Sequence, residues 1–190
     1  MLNQNEVLEI FKKAGALLHG HFLLTSGLHS ETYLEKFKVL QYPKYTEILC
    51  REIAERFKND NIEVVVGPVT GGILLAYEVA KNLNVRGIFT ERENGKMALR
   101  RGFEVKPNER VLVVEDIITT GGSVVEVLDV IKANKGNLVG VGLLIDRSGG
   151  KVDFGVRKEA LATLNVENYQ PDKCPLCAKN IPITKRGSKK

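Results

Sequence analysis

Two adjacent carboxylates, Glu115 and Asp116, follow the aliphatic run Val111-Leu112-Val113-Val114 and precede Ile117-Ile118-Thr119-Thr120-Gly121-Gly122-Ser123. The aliphatic run predicts a buried strand, and the Thr/Gly/Ser stretch predicts a loop opening into a helix. Such a strand delivers its loop to the carboxyl edge of a sheet, where ligands bind in open α/β folds. Paired glycines let the backbone approach a ligand, and free amides at a helix start, with the Thr and Ser hydroxyls, cradle a phosphate. Adjacent carboxylates suit sugar hydroxyls, or Mg²⁺ held through water. The alternative is a tight turn in which Ser or Thr merely caps the helix. It explains the hydroxyls and glycines, but not two consecutive acids behind four buried aliphatics, whose desolvation is costly without a ligand or cation. The glycine spacing fits neither a Walker A loop nor a dinucleotide fingerprint.

Cationic residues gather in two further places. Leu144-Ile145-Asp146-Arg147 reads as a strand ending in an Asp-Arg pair, and a guanidinium there can grip a carboxylate through two parallel hydrogen bonds. The alternative is an Asp146–Arg147 surface pair of little energetic value. Thr90 to Phe103 is a polar stretch carrying Arg92, Lys96, Arg100 and Arg101, suited to a lid that excludes water and neutralises a departing anion. Its alternative is a solvated hairpin with charged flanks. Cys174-Pro175-Leu176-Cys177 has the spacing of half a structural zinc site, completed across two subunits or by a distant His, or else is a turn with free thiols. His19, His21 and His29 read as satisfied surface or core histidines rather than catalysts, and Cys50 as a small core hydrophobe.

These residues need a scaffold. Residues 6–13 place Val7, Leu8, Ile10 and Phe11 on one helical face, and Pro43 opens a helix burying Ile48, Leu49, Ile53 and Phe57. Between them, residues 20–33 read as two short strands around a turn at Ser26-Gly27. From residue 62 onward, β-branched runs at 62–66, 85–89, 111–115 and 138–145, with a further strand near 161–164, alternate with helical segments at 72–83 and 123–134. That alternation predicts an α/β fold, a mainly parallel sheet covered by helices.

At 190 residues, with 43% hydrophobic and 27% charged, the chain can bury a core, so pervasive disorder is excluded. The expected division is one domain over 1–170, with a small hood at roughly 15–40 plus a C-terminal segment, and a Cys-containing basic tail over 171–190. Lys185, Arg186, Lys189 and Lys190 carry four of the five net positive charges, so the body is nearly neutral and nucleic acid is not the expected partner. No apolar run is long enough for a membrane span, and the N-terminus lacks a secretion signal. A cytoplasmic protein that does not bind membranes is expected.

The acidic pair followed by Thr-Thr-Gly-Gly-Ser resembles the signature of type I phosphoribosyltransferases. The resemblance implies the type I fold: a mainly parallel twisted sheet flanked by helices, with an N-terminal hood. It also implies that Glu115 and Asp116 hold the ribose of phosphoribosyl pyrophosphate, while residues from Ile117 and Ile118 through Thr119, Thr120, Gly121, Gly122 and Ser123 form the phosphate loop. Phe22 to Tyr33 resembles the hood of orotate phosphoribosyltransferases, which places the Tyr33 and Leu34 backbone beside the orotate ring, with Thr119 and Arg147 as further orotate ligands. Orotate differs from uracil by one carboxylate, which gives Arg147 its purpose.

In that family the mobile loop often completes the neighbouring subunit's site, which implies a homodimer. Arg92 and Lys96 match its pyrophosphate ligands best; with Asp116 they are the residues expected to carry catalysis. Mg²⁺ enters with the substrate, and no general base is expected. Many members have Lys where Thr25 stands, Tyr-Lys after Gly67-Pro68 where this chain has Val69-Thr70, and other lid residues near Glu93 and Leu99. Arg100 or Arg101 then substitutes for a missing pyrophosphate ligand. The lid sequence and Cys-Pro-Leu-Cys resemble a thermophile-associated branch. Alternatives on the same fold are a purine or uracil phosphoribosyltransferase, or a regulator that senses phosphoribosyl pyrophosphate.

Overall fold

The computed structural model describes residues 1–24 and 26–186, so Thr25, Lys189 and Lys190 lie outside the described residues. The chain begins with α1 (Gln4–Lys13), β1 (Leu17–Leu23), β2 (His29–Leu34), α2 (Phe37–Leu40) and α3 (Pro43–Phe57). Next come β3 (Val64–Pro68), α4 (Gly71–Leu83), β4 (Arg86–Glu93), β5 (Lys96–Leu99), β6 (Arg110–Ile118), α5 (Gly122–Ala133), β7 (Asn137–Asp146) and β8 (Arg157–Thr163). The last elements are β9 (Asn168–Tyr169), α6 (Pro175–Ala178) and β10 (Thr184–Lys185).

One sheet has the order β5-β4-β3-β6-β7-β8, parallel throughout except for the antiparallel β4–β5 pair. Its central strands β3, β6 and β7 bury both faces, as parallel strands under helices must. Val65, Leu112 and Val114 face the cluster built by Phe11 of α1, Leu49, Ile53 and Phe57 of α3 and Leu75 and Val79 of α4. Their neighbours Val64, Val66, Val111 and Val113 face Val124, Val127, Leu128 and Ile131 of α5. The two-residue period of the strands thus divides the core in two.

The predicted elements are present, with shifted ends. The strand expected at 62–66 runs Val64–Pro68, and the one expected at 161–164 runs Arg157–Thr163. The strand expected at 111–115 continues to Ile118, so the acidic pair lies inside it. Pairing with β7 persists to Ile118↔Asp146, which holds the acids in a central strand.

The hood is a second sheet, β10-β1-β2-β9. Here the structure departs from the expected tail. Residues 171–186 fold back: β10 pairs in parallel with β1 through Phe22↔Thr184 and Leu23↔Lys185, and Cys174 and Leu176 are buried. Leu176 supplies an apolar anchor that the charge count of the segment conceals. Within residues 90–103, β4 and β5 form a β-hairpin from Thr90 to Leu99, in register at Arg92↔Met97 and Glu93↔Lys96. Asn94 and Gly95 both have positive φ, as the two-residue turn between twisted strands requires.

Candidate active site

Strand β6 carries Glu115 and Asp116 into the interior, with Glu115 8% exposed and Asp116 fully buried. Burial pushes both carboxyls above their usual range, and for Glu115 the neighbouring Asp116 adds to the effect. Lys36 limits the cost for Asp116: its Nζ lies 3.0 Å from Oδ1 and 2.8 Å from Oδ2. Burial works against the charge on that ammonium, yet Asp116 holds its pKa above the usual lysine value. The backbone of Gly71, at the start of α4, packs directly on the carboxylate, and a Cβ there would collide with Asp116 Oδ2. The peptide before Thr70 is cis. The β3–α4 turn and Lys36 therefore enclose Asp116, while Glu115 opens toward the phosphate loop.

Glu115, Ile117, Ile118, Thr119, Thr120, Gly121, Gly122 and Ser123 line one cavity of ≈ 490 Å³, together with Arg92. Gly121 has φ +75° and lies against Phe154, so only glycine fits comfortably there. Among the described residues no side chain caps α5 at its N-terminus, where Gly121 is the cap, and its first residues Gly122, Ser123 and Val124 line the cavity. The capping alternative is thereby removed, leaving a ready anion cradle.

A second cavity of ≈ 450 Å³ shares Thr119 and Thr120 with the first and is lined by Tyr33, Arg147, Ser148, Lys151 and the hood residues Leu24, Ser26 and Leu28. Arg147 is 8% exposed, and its burial lowers its pKa from the usual arginine value. Its Nη2 makes a long 3.4 Å bond to the Thr32 carbonyl, and its buried Nε has no partner. The Asp146–Arg147 pairing is not formed. Asp146 instead accepts from Ser148 and from Lys158 Nζ at 2.8 Å, and these bonds hold its carboxyl below the usual range although burial works the other way. A buried guanidinium thus faces a cavity with no carboxylate from its own chain, among the described residues.

Other expected residues stand apart. Leu34 belongs to the core beneath the hood rather than to the cavity lining. Arg92 sits at the phosphate cavity but bonds Glu126 at 2.8 Å and the Gly95 carbonyl. Lys96 lines a separate groove with Met97 and Asp129. Arg100 contacts Glu91 and Glu93, and Arg101 contacts Glu91. Sequence reasoning missed Lys36 and Lys151: neither belongs to a local motif, and each reaches its cavity only through tertiary packing. Cys174 and Cys177 converge on His21 and His29.

The chain matches the phosphoribosyl transferase domain family over residues 40–158. It is 57% identical over 188 residues to an orotate phosphoribosyltransferase of Desulforamulus reducens, covering 99% of this chain and 98% of the relative. Against that of Pelotomaculum thermopropionicum it is 56% identical over 189 residues, with both chains fully covered. The crystal structure of orotate phosphoribosyltransferase from Aeropyrum pernix superposes with a TM-score of 0.71 at 27% identity, covering 83% of this chain and 93% of that one. Matches of this identity over the whole chain show that it belongs to the orotate phosphoribosyltransferase family.

Proposed function

We propose that this chain transfers the ribose 5-phosphate group from phosphoribosyl pyrophosphate to orotate, giving orotidine 5′-monophosphate and pyrophosphate in pyrimidine synthesis. The observation that carries this reading is the shared wall of the two cavities. Thr119 and Thr120 border both the uncapped start of α5, which suits the 5′-phosphate, and the space in front of Arg147, which suits the orotate carboxylate. The sugar then lies beside Glu115. A ring nitrogen of orotate forms the new bond at the anomeric carbon as the bond to pyrophosphate breaks, through an oxocarbenium-like state.

Magnesium bound with the substrate would supply positive charge against the diphosphate, and of the acidic pair Glu115 fits that need, because Asp116 is buried against Lys36. Glu115 faces the cavity with a charge that burial disfavours, so it is the residue to hold the cation's water shell or the ribose hydroxyls. Asp116, pinned by Lys36 and Gly71, fixes the backbone that presents Glu115. Arg92 neutralises pyrophosphate once released from Glu126, which is electrostatic catalysis by a group already at the cavity. Orotate is acidic at its reacting side, so no general base is required. Lys96, Arg100 and Arg101 lie outside the two cavities of their own chain. That placement supports a homodimer in which the β4–β5 hairpin serves the partner's site. No helix among the described residues is long and apolar enough to cross a membrane.

The test is turnover with phosphoribosyl pyrophosphate and Mg²⁺, offering orotate, uracil, adenine, hypoxanthine and xanthine separately. Turnover of orotate alone is expected. A purine product would keep the phosphate site and overturn the assignment of Arg147; tight binding of the sugar substrate without any turnover would make the chain a sensor.

A further inference from the structure

The hood holds a second cluster with no part in the proposed reaction. His21 is on β1 and His29 on the antiparallel β2, while Cys174 caps α6 and Cys177 lies within it in the returning segment. One nitrogen or sulfur atom from each of the four lies within 4.8 Å of all the others. We propose that His21, His29, Cys174 and Cys177 bind one zinc ion, which fastens the carboxy-terminal segment to the hood.

The distances match the ion's geometry. Zinc takes thiolates at about 2.3 Å and imidazoles at about 2.0–2.1 Å in a tetrahedron, so ligand atoms stand about 3.3 to 3.8 Å apart. Cys174 Sγ is 3.6 Å and Cys177 Sγ 3.8 Å from His21 Nε2, and Cys177 Sγ is 3.3 Å from His29 Nδ1. The two imidazole nitrogens are 2.9 Å apart, slightly closer than a zinc ion would hold them. His21 is already oriented. Its Nδ1 lies 2.7 Å from the Ile181 carbonyl, which can only accept, so Nδ1 carries the proton and the Nε2 lone pair faces the cluster. A backbone carbonyl holding the far nitrogen is the usual outer support of a metal-bound histidine.

The competing account is a hydrogen bond between the histidines beside two free thiols. It explains the 2.9 Å contact, but not why two sulfurs converge on the same point from a separate segment. His21, His29 and Cys174 are all buried, and a thiol is a weak hydrogen-bond partner for that position. Two soft and two borderline ligands in a tetrahedron select zinc, and four protein ligands leave no open position, so the role is structural. The consequence reaches the base cavity, because Leu28 and Tyr33, which line it, flank and share β2 with His29.

The full chain, purified without a metal-binding tag, should contain about one zinc per chain. Cobalt(II) in its place should give the visible bands of a tetrahedral site with thiolate ligands. Cys177→Ser tests the site with little risk to folding, because Cys177 is exposed and fills no core space. It should lower zinc affinity by more than about tenfold and abolish the cobalt spectrum, whereas His19→Ala should change neither. Removing zinc from the wild type with a chelator should raise the KM for orotate severalfold, reversibly, with little change for the sugar substrate. Wild-type protein with far less than one zinc that also takes up no cobalt, a Cys174–Cys177 disulfide, or an unchanged cobalt spectrum in Cys177→Ser would each overturn the proposal.

Discussion

Arg147 shows most plainly how a single residue trades stability for function. Its guanidinium is buried and, among the described residues, makes one long bond, with Nε unpartnered and no carboxylate beside it, so it is a desolvated cation without an anion from those residues. A bound carboxylate would supply the missing charge-assisted bonds. Arg147→Met should therefore raise the melting temperature of the substrate-free protein while cutting kcat/KM for orotate by roughly 10²-fold, the scale of losing one side of a buried charged pair, about 3 kcal/mol. Thermal melts and steady-state kinetics on the same preparation check both halves. A variant that is destabilised yet fully active would show that Arg147 serves packing. Lys36 is the complementary case: its charge is spent on Asp116, so Lys36→Met should destabilise the chain by an amount on the order of 2 kcal/mol, softened because Asp116 can take up a proton. Denaturant titration near neutral pH measures it, and an unchanged midpoint would remove Lys36 from the site's support.

At the scale of elements, the β6–α5 connection matters most, and its glycine is the sharpest test. Gly121 combines φ +75° with a Cβ direction only 2.8 Å from Phe154, so Gly121→Ala meets both strain and collision. A loss of about 1–3 kcal/mol is expected, together with weaker binding of phosphoribosyl pyrophosphate than of orotate, as calorimetric titration of each would reveal. This connection was legible in the sequence because all its parts are local: aliphatic strand, acids, loop and helix start are contiguous from Val111 to Ser123. The Asn94-Gly95 turn was also written locally, as a dipeptide that tolerates positive φ at both positions, and it explains why the polar stretch is a hairpin. The folded-back segment was not legible. Its hold on the hood depends on a two-residue strand pairing, on Leu176, and on cysteines that meet histidines about 150 residues away. Short strands and distant ligands leave no periodicity to read, and the basic residues at 185–190 gave the segment the look of a solvated tail.

Over the whole molecule, the buried charges pull stability in opposite directions with pH. Asp146 and Glu109 have carboxyls held below their usual range, the first by Lys158 and Ser148, the second by the Lys106 amide and Arg86, in each case against the effect of burial. Their contribution is present above the unfolded carboxylate range and is lost as pH falls through their folded values. Glu115 and Asp116 are shifted upward, so their contribution is present below that range and is lost as pH rises through their folded values. Substrate-free protein should therefore be most stable in mildly acidic solution and should lose melting temperature between about pH 5 and 8. Glu115→Gln removes the ionisation, and should flatten that decline while weakening binding of the sugar substrate. Saturating phosphoribosyl pyrophosphate with Mg²⁺ should flatten it in the wild type too, because a cation beside Glu115 favours the charged carboxylate and returns its pKa toward the usual range. Melting curves across that interval, for wild type and Glu115→Gln, with and without substrate, decide the matter. Parallel slopes in all four would mean that Glu115 is not what titrates, and the cation would then have to be sought away from Glu115.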